Sequence, residues 1–445
     1  MSETSWSILS IRECLIESFA GEWGAEPLPG NTRVLRATDI DDEGHVIGSG
    51  ALRRLPIGKL TSRQLEDGDV LLEGSGGGPD KPVGRVAFFN IAEHQGPAVC
   101  SNFFKTLRPN PRLVEPKFLW RKLMWFYRQP MLLTFQQQTT GIINLKFEEY
   151  LNAAIEIPAN LAEQRAIAQV LGTLDTAIRE TEALIDKLKA VKLGLLHDLL
   201  TRGIDANGQL RPPHSEAPQL YKESRLGWIP RDWNSSQLCM LTKLITSGSR
   251  GWAAYYAETG ALFLRSQNVR MGYLDLTDRQ LVKPPSGGEG ERTKLEPSDL
   301  LITITGNGVG NVAHVPDEWA ETAFVSQHVG LVRFNDPQLA LLATYHFVEG
   351  APGNQQIVSA QYGQSKPGLS LENLRGFWIP VPTEGEISVI NSKITCAYER
   401  LAQEEELAHQ LRNLKLGIMD DLLTGRVRVT PLLKSTQQAA ASTGA

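Results

Sequence analysis

Ten residues, Lys192-Leu-Gly-Leu-Leu-His-Asp-Leu-Leu-Thr201, return 223 positions later as Lys415-Leu-Gly-Ile-Met-Asp-Asp-Leu-Leu-Thr424, with seven identities. In a chain of 445 residues that offset is half the length. Weaker echoes keep nearly the same spacing: Val34-Leu-Arg-Ala-Thr-Asp-Ile40 with Phe263-Leu-Arg-Ser-Gln-Asn-Val269, and Leu65-Glu-Asp-Gly-Asp-Val-Leu-Leu72 with Leu295-Glu-Pro-Ser-Asp-Leu-Leu-Ile302. Val83-Gly-Arg-Val-Ala87 answers Val309-Gly-Asn-Val-Ala313. An ordered series of this kind is the mark of a tandem duplication, so the chain must fold as two versions of one unit.

Each copy has two textures. About the first 150 residues of a copy carry short apolar runs, such as Val70-Leu71-Leu72 and Leu300 to Ile304, separated by Gly, Pro and Asn clusters. That is the pattern of strands and loops. The remainder reads as one long helix: Leu161 to Leu200 has no proline, with Pro158 before it and Gly203 after it, and Pro382 and Gly425 bracket the second copy. The boundaries expected are a strand-rich domain over 1–158, a helix over 159–203, a linker and second strand-rich domain over 204–382, a helix over 383–426 and a flexible tail over 427–445. The fold class is α+β.

The helices carry a heptad seam. In the first it runs Ile167, Leu171, Leu174, Ile178, Thr181, Ile185, Leu188, Lys192, Leu195, Leu199; in the second, Ile390, Ile394, Ala397, Leu401, Glu404, Ala408, Leu411, Lys415, Ile418, Leu422. Both place a polar residue fifth and a lysine eighth. A narrow stripe on a helix ~60 Å long exceeds what one small domain can cover. Mutual pairing covers it; the alternative is two separate amphipathic helices, each on its own core.

Several chemistries lack their motifs. There is no GxxxxGK[ST] phosphate loop, no HExxH and no Asn/Asp-Pro-Pro-aromatic methyltransferase signature. Gly306-Asn-Gly-Val-Gly310 leads into a strand pattern where a dinucleotide site needs a helix N-terminus. Pro79-Asp80 with Glu115-Pro-Lys117 imitates a Mg-dependent nuclease, but Pro116 interrupts the strand and the second copy has no counterpart. The four cysteines are scattered without a CxxC pair, no apolar run reaches the ~18 residues of a membrane span, and the N-terminus is charged, so a cytoplasmic chain without metal is expected.

Net charge is −5, so any nucleic-acid surface must be local. Residues 101–146 hold eight basic residues against one acid, interleaved with aromatics. Arg121, Lys122 and Arg128 lie there, on an expected helix from Phe118 to Gln129, as candidates for phosphate contact. Arg36, Arg85, Arg250, Arg265, Gln267, Asn268, Asn307 and Asn311 are loop candidates for reading base edges, because Arg, Asn and Gln can make bidentate contacts.

Leu161-Ala-Glu-Gln-Arg-Ala-Ile167, the Leu184–Thr201 segment and Leu407–Arg426 resemble the helical regions of type I restriction-modification specificity subunits. Leu226-Gly-Trp-Ile-Pro-Arg-Asp-Trp233 is similar to that family's lead into its second target-recognition domain, and Asp299 to Gly306 to a strand and glycine turn within one. The second long helix departs from the pattern, with Glu384-Gly-Glu-Ile387 in place of Ala-Glu-Gln-Arg. The resemblance implies two recognition domains, each reading half of a split duplex DNA site, with the long helices packed antiparallel as a spacer. It implies two methyltransferase subunits carrying S-adenosylmethionine, and a restriction subunit using ATP and Mg. No catalytic residue or cofactor is then expected in this chain. The alternatives are a coiled-coil scaffold that reads no DNA and, less favoured, the nuclease.

Overall fold

The computed structural model describes residues 6–26, 29–77, 81–139, 141–248, 250–284, 290–361 and 368–429. Pro79-Asp80 and the tail from 430 onward lie outside the described residues. The chain divides into two compact units: residues 1–181 with 407–445, and residues 182–406. Each long helix is therefore shared between the units instead of standing as a domain of its own.

In the first unit, a four-stranded sheet has the order Leu15–Ala20, Phe104–Pro109, Val70–Glu73, Val86–Phe88. Beside it, Thr32–Leu35 pairs antiparallel with Ala51–Arg53 and parallel with Ala98–Cys100, placing Leu35 opposite Cys100. The second unit repeats both. Its sheet runs Thr242–Ser247, Val329–Phe334, Leu300–Thr303, Val312–His314, and Ala261–Leu264 pairs parallel with Ala323–Val325, Leu264 opposite Val325. Within the stretch expected as linker and second domain, Tyr221–Ser224 and Gly227–Pro230 form a hairpin. Its turn at Gly227 has φ +87°, which glycine adopts without strain.

One buried ion pair recurs inside both sheets. Arg108 grips Asp69 with Nε and Nη2, both at 2.9 Å, and Arg333 grips Asp299 likewise, both at 2.7 Å. Each aspartate also accepts the backbone N–H three residues before it, at 2.8 Å. The turn between needs a positive φ: Gly68 supplies it in one copy, and Ser298 adopts +62° in the other.

The long helices span Leu161–Thr201 and Glu384–Leu423. They pair within each unit. In the first, Ile167 and Leu171 share a core with Leu422, Leu423 and the aromatic helix Pro116–Tyr127. In the second, Leu196 and Leu199 share one with Ile390 and Ile394. Direction is fixed unit by unit: Glu163 meets Arg428 while Asp175 meets Lys415, and Lys189 meets Glu405 while Lys192 covers the Tyr398 ring. Both pairs of contacts run antiparallel. Along the seam, Ile178, Ile185, Leu401 and Ala408 are buried, and Leu174, Leu188, Leu195, Leu411 and Ile418 are half-buried. Each fully buried aliphatic side chain contributes roughly 1.5–3 kcal/mol.

The start of each long helix is locked by one glutamate. Glu163 accepts Arg428 Nε and Nη2 at 2.7 and 2.8 Å. Glu386 accepts Arg211 Nη1 at 2.5 Å and the Trp233 indole N–H at 2.8 Å. The departure at 384–387 therefore keeps the glutamate that the lock uses.

No helix among the described residues is long and apolar enough to cross a membrane. Cys14, Cys100, Cys239 and Cys396 are unpaired.

Candidate nucleic-acid interface

Four strands in each unit end at one cluster of loops. In the second unit, Thr242–Ser247 runs into Gly248 and Arg250, Ala261–Leu264 into Arg265-Ser-Gln267, and Leu300–Thr303 into the 305–310 glycine turn. The fourth strand, Ala323–Val325, runs into Ser326-Gln-His328. Backbone contacts tie these loops together. Ile304 N–H donates to His328 O at 2.9 Å, the Thr305 hydroxyl lies 2.6 Å from His328 Nδ1, and a Cβ on Gly306 would come 3.5 Å from Ser266 Oγ. The first unit repeats the arrangement: Gly74 N–H donates to Phe103 O at 2.7 Å, and Arg36 to Thr38 follow Leu35.

Glycine makes the closest approach possible in both. A Cβ on Gly21 would stand 2.0 Å from Ser101 O, and one on Gly248 1.9 Å from Val325 O. Any other residue would push the strand end off the loop behind it.

The two clusters differ in chemistry. The first presents Trp23, Arg36 and an exposed Phe103 around a cavity of about 550 Å³. The second presents Gln267, Gln327 and His328 at or near corresponding places in the duplication, with exposed Asn307 on the glycine turn. A duplicated frame with divergent polar tips is suited to reading two different sequences.

Sequence reasoning placed residues here unevenly. Arg36, Arg250, Gln267 and Asn307 are exposed on these loops. Arg265 is partly covered and pairs with Asp278 at 3.0 Å; Gln267 donates to the same carboxylate. Three residues are props, and this corrects their reading as base-edge contacts. Arg85 donates to Ile40 O and Ala37 O, both at 3.1 Å, and pairs with Glu73. Asn311 donates to Val269 O at 3.0 Å, the carbonyl corresponding to that of Ile40. Asn268 is buried, and its amide is consumed by Arg265 N–H, Asp275 O and Asp278 O.

The basic cluster is corrected too. The aromatic helix runs Pro116–Tyr127, capped by Glu115, which accepts Phe118 N–H at 2.6 Å. Arg121 and Lys122 are 4% and 3% exposed. Arg121 is paired with Asp175, and Lys122 Nζ donates to Leu423 O at 2.6 Å, so both heads face the helix pair and neither faces solvent. Burial pushes the Lys122 ammonium down to about 8. Arg128 stays partly exposed, paired with Glu43 at 2.9 Å. Trp23, Ser101, Gln327 and His328 were missed by the sequence reading, and Phe103 stood only among the aromatics of the 101–146 patch. The parallel register of Leu35 with Cys100 and of Leu264 with Val325 was the signal that places them.

Residues 30–190 match the model of the type I restriction modification DNA specificity domain. The MjaVIII type I restriction enzyme specificity subunit of Methanocaldococcus jannaschii is 22% identical over 302 residues, covering 67% of this chain and 68% of that one. The putative MjaX specificity subunit of the same organism is 21% identical over 330 residues, covering 73% and 71%. Among solved structures, the S subunit of a type I restriction-modification system from M. genitalium superposes with a TM-score of 0.56 at 16% identity, covering 95% of this chain and 97% of that one. A chain from a structural study of type I system complex assembly gives 0.53 at 16% identity, covering 94% and 97%. Residues 30–190 thus match a type I DNA specificity domain, and the fold shared with the M. genitalium S subunit extends over nearly the whole chain.

Proposed function

We propose that the chain reads a bipartite site in duplex DNA, one half-site through each loop cluster, and directs partner subunits to it without catalysing a reaction itself. The observation that carries this reading is the duplicated loop cluster with divergent tips: Thr38, Asn102 and Phe103 in one copy stand where Gln267, Gln327 and His328 stand in the other. Identical frames with identical tips would suit a palindrome; different tips suit an asymmetric split site.

The partners in this reading are two methyltransferase subunits and restriction subunits. S-adenosylmethionine, ATP and Mg belong to those partners. The continuous helices Leu161–Thr201 and Glu384–Leu423 act as the spacer between half-sites. The test is co-expression with the methyltransferase subunit of its own system, followed by mapping of methylated bases. A split motif is the expected result. Methylation without sequence preference, or assembly without DNA binding, would leave only the scaffold.

A further inference from the structure

The turn after Thr32–Leu35 holds an arginine in an unusual state of readiness. Asp39 is 5% exposed, and its carboxylate accepts three hydrogen bonds from Arg36: backbone N–H at 2.8 Å, Nε at 2.9 Å and Nη2 at 3.0 Å. The aspartate is itself fixed, because Gly48 packs so closely that a Cβ there would lie 2.3 Å from its Oδ1. The Arg36 side chain is nonetheless 45% exposed, and among the described residues Nη1 takes no partner. One edge of the guanidinium is clamped, and the other is presented.

What it faces is a cavity of about 550 Å³ lined by Trp23, Arg36, Thr38, Ser101, Asn102 and Phe103. Ser101 is 2% exposed, yet its hydroxyl has no hydrogen-bond partner. A buried hydroxyl without a partner costs free energy unless something supplies one. The lining thus combines hydrogen-bond donors with two aromatic rings, Trp23 and Phe103.

Resting on the DNA-reading function above, we infer that Arg36, positioned by Asp39, reads a guanine in the first half-site. Guanine is the base whose major-groove edge presents two acceptors, N7 and O6, matching the two nitrogens of an arginine fork. A phosphate is the poorer fit. The Asp39 carboxylate already offsets the cation, and the Trp23 and Phe103 faces have nothing to offer a phosphate's oxygens. Asp39 is a positioning residue: it holds the fork in one orientation and so removes the freedom that a base contact would otherwise have to freeze out.

The second unit is an internal control. There the corresponding residue is Asn268, whose Oδ1 still accepts the Arg265 N–H at 3.0 Å, while the Arg265 guanidinium turns to Asp278 instead. Asparagine therefore keeps this turn and gives up the clamp. Asp39→Asn is for that reason a variant expected to fold.

The experiment uses the full chain assembled with its methyltransferase, on duplexes carrying every single-base replacement in the mapped motif and 7-deazaguanine, which lacks N7, at each guanine. In the wild type, one guanine of one half-site is expected to be sensitive to 7-deazaguanine. Arg36→Ala loses discrimination at that position alone, by roughly tenfold to a hundredfold. Asp39→Asn relaxes the same position with the other half-site unchanged, an effect that a merely structural role would not confine to one base. If Arg36→Ala discriminates every position as the wild type does, the inference is overturned. It is equally overturned if that variant weakens all duplexes alike with a smaller salt slope, which marks a phosphate contact. Both results leave DNA reading intact; only a wild-type complex without sequence preference would remove that reading as well.

Discussion

Lys415 Nζ lies 2.8 Å from an Asp175 carboxylate oxygen, both side chains 6% exposed, joining the two long helices inside the first unit. Glu43 and Arg121 complete the group, each paired to one member. At the corresponding place in the second unit, Lys192 sits 4.4 Å over the Tyr398 ring, and Tyr398 stacks on Tyr345 at 4.9 Å. Tyr398 occupies the duplicate position of Asp175, and Tyr345 that of Arg121. One copy fills the space with ions and the other with rings, and a lysine on the seam serves both. Its stem packs along the helix while its head finds a carboxylate or a ring face.

The ionic version is vulnerable to the loss of one member. Asp175→Ala leaves Lys415 and Arg121 buried with unbalanced charge, and should destabilise the first unit by about 3–5 kcal/mol. Arg121→Tyr with Asp175→Tyr copies the second unit's pair and should cost much less than the single change. Chemical denaturation of the three proteins checks this; a double variant no better than Asp175→Ala alone would contradict it.

The same geometry sets an expectation for DNA affinity. Arg121→Met with Lys122→Met removes two cations that face the helix pair, so the salt dependence of DNA binding by the assembled complex should not change, while thermal stability falls. A slope smaller by ~0.9 per removed charge would show that these residues touch phosphate after all.

How much of this was legible in the sequence depended on whether a signal was periodic or pairwise. The duplication and the heptad seam repeat, so Ile167, Leu171, Ile390 and Ile394 declared themselves. The partners did not. Arg121 meets Asp175 fifty-four positions away, and Lys122 meets Leu423 O three hundred and one away. A count of charge along 101–146 shows a basic patch but not the acceptors that fold onto it. The loop candidates divided for the same reason. Arg36 and Asn268 look alike as polar turn residues, and only the three-dimensional turn shows that one presents its head while the other spends every group on backbone.

A pH signature should separate the two aromatic helices. His346, on the helix Gln338–Phe347, occupies the position corresponding to Lys122, and burial pushes its imidazole down to about 4 from an ordinary value near 6.5. The unfolded chain therefore binds the proton first as pH falls. The stability this neutral histidine contributes is complete above about 6.5 and is lost as pH drops through 4. His346→Phe should remove that component, so the stability gap between wild type and variant should change between pH 6.5 and 4 and be flat above 7. A gap independent of pH would show that the ring is not held neutral.

The glutamate locks predict a selective loss. Glu386→Gln weakens the contacts of Arg211 and removes the charge that holds it, while leaving an acceptor for the Trp233 indole. The second unit should lose roughly 1–3 kcal/mol, with the first unit's Glu163–Arg428 pair untouched. Hydrogen exchange resolved by peptide measures the two separately. Equal loosening of residues 161–167 and 384–390 would argue against independent locks.

The central claim is that each duplicated domain reads its own half of a split site. Its most direct measurement is an exchange of residues 204–380 for the corresponding segment of a relative with a different motif, followed by mapping of methylated bases from cells carrying the hybrid with its methyltransferase. The account predicts a motif in which one half is replaced and the other stays as it was. A motif changed in both halves, or in neither, would contradict it.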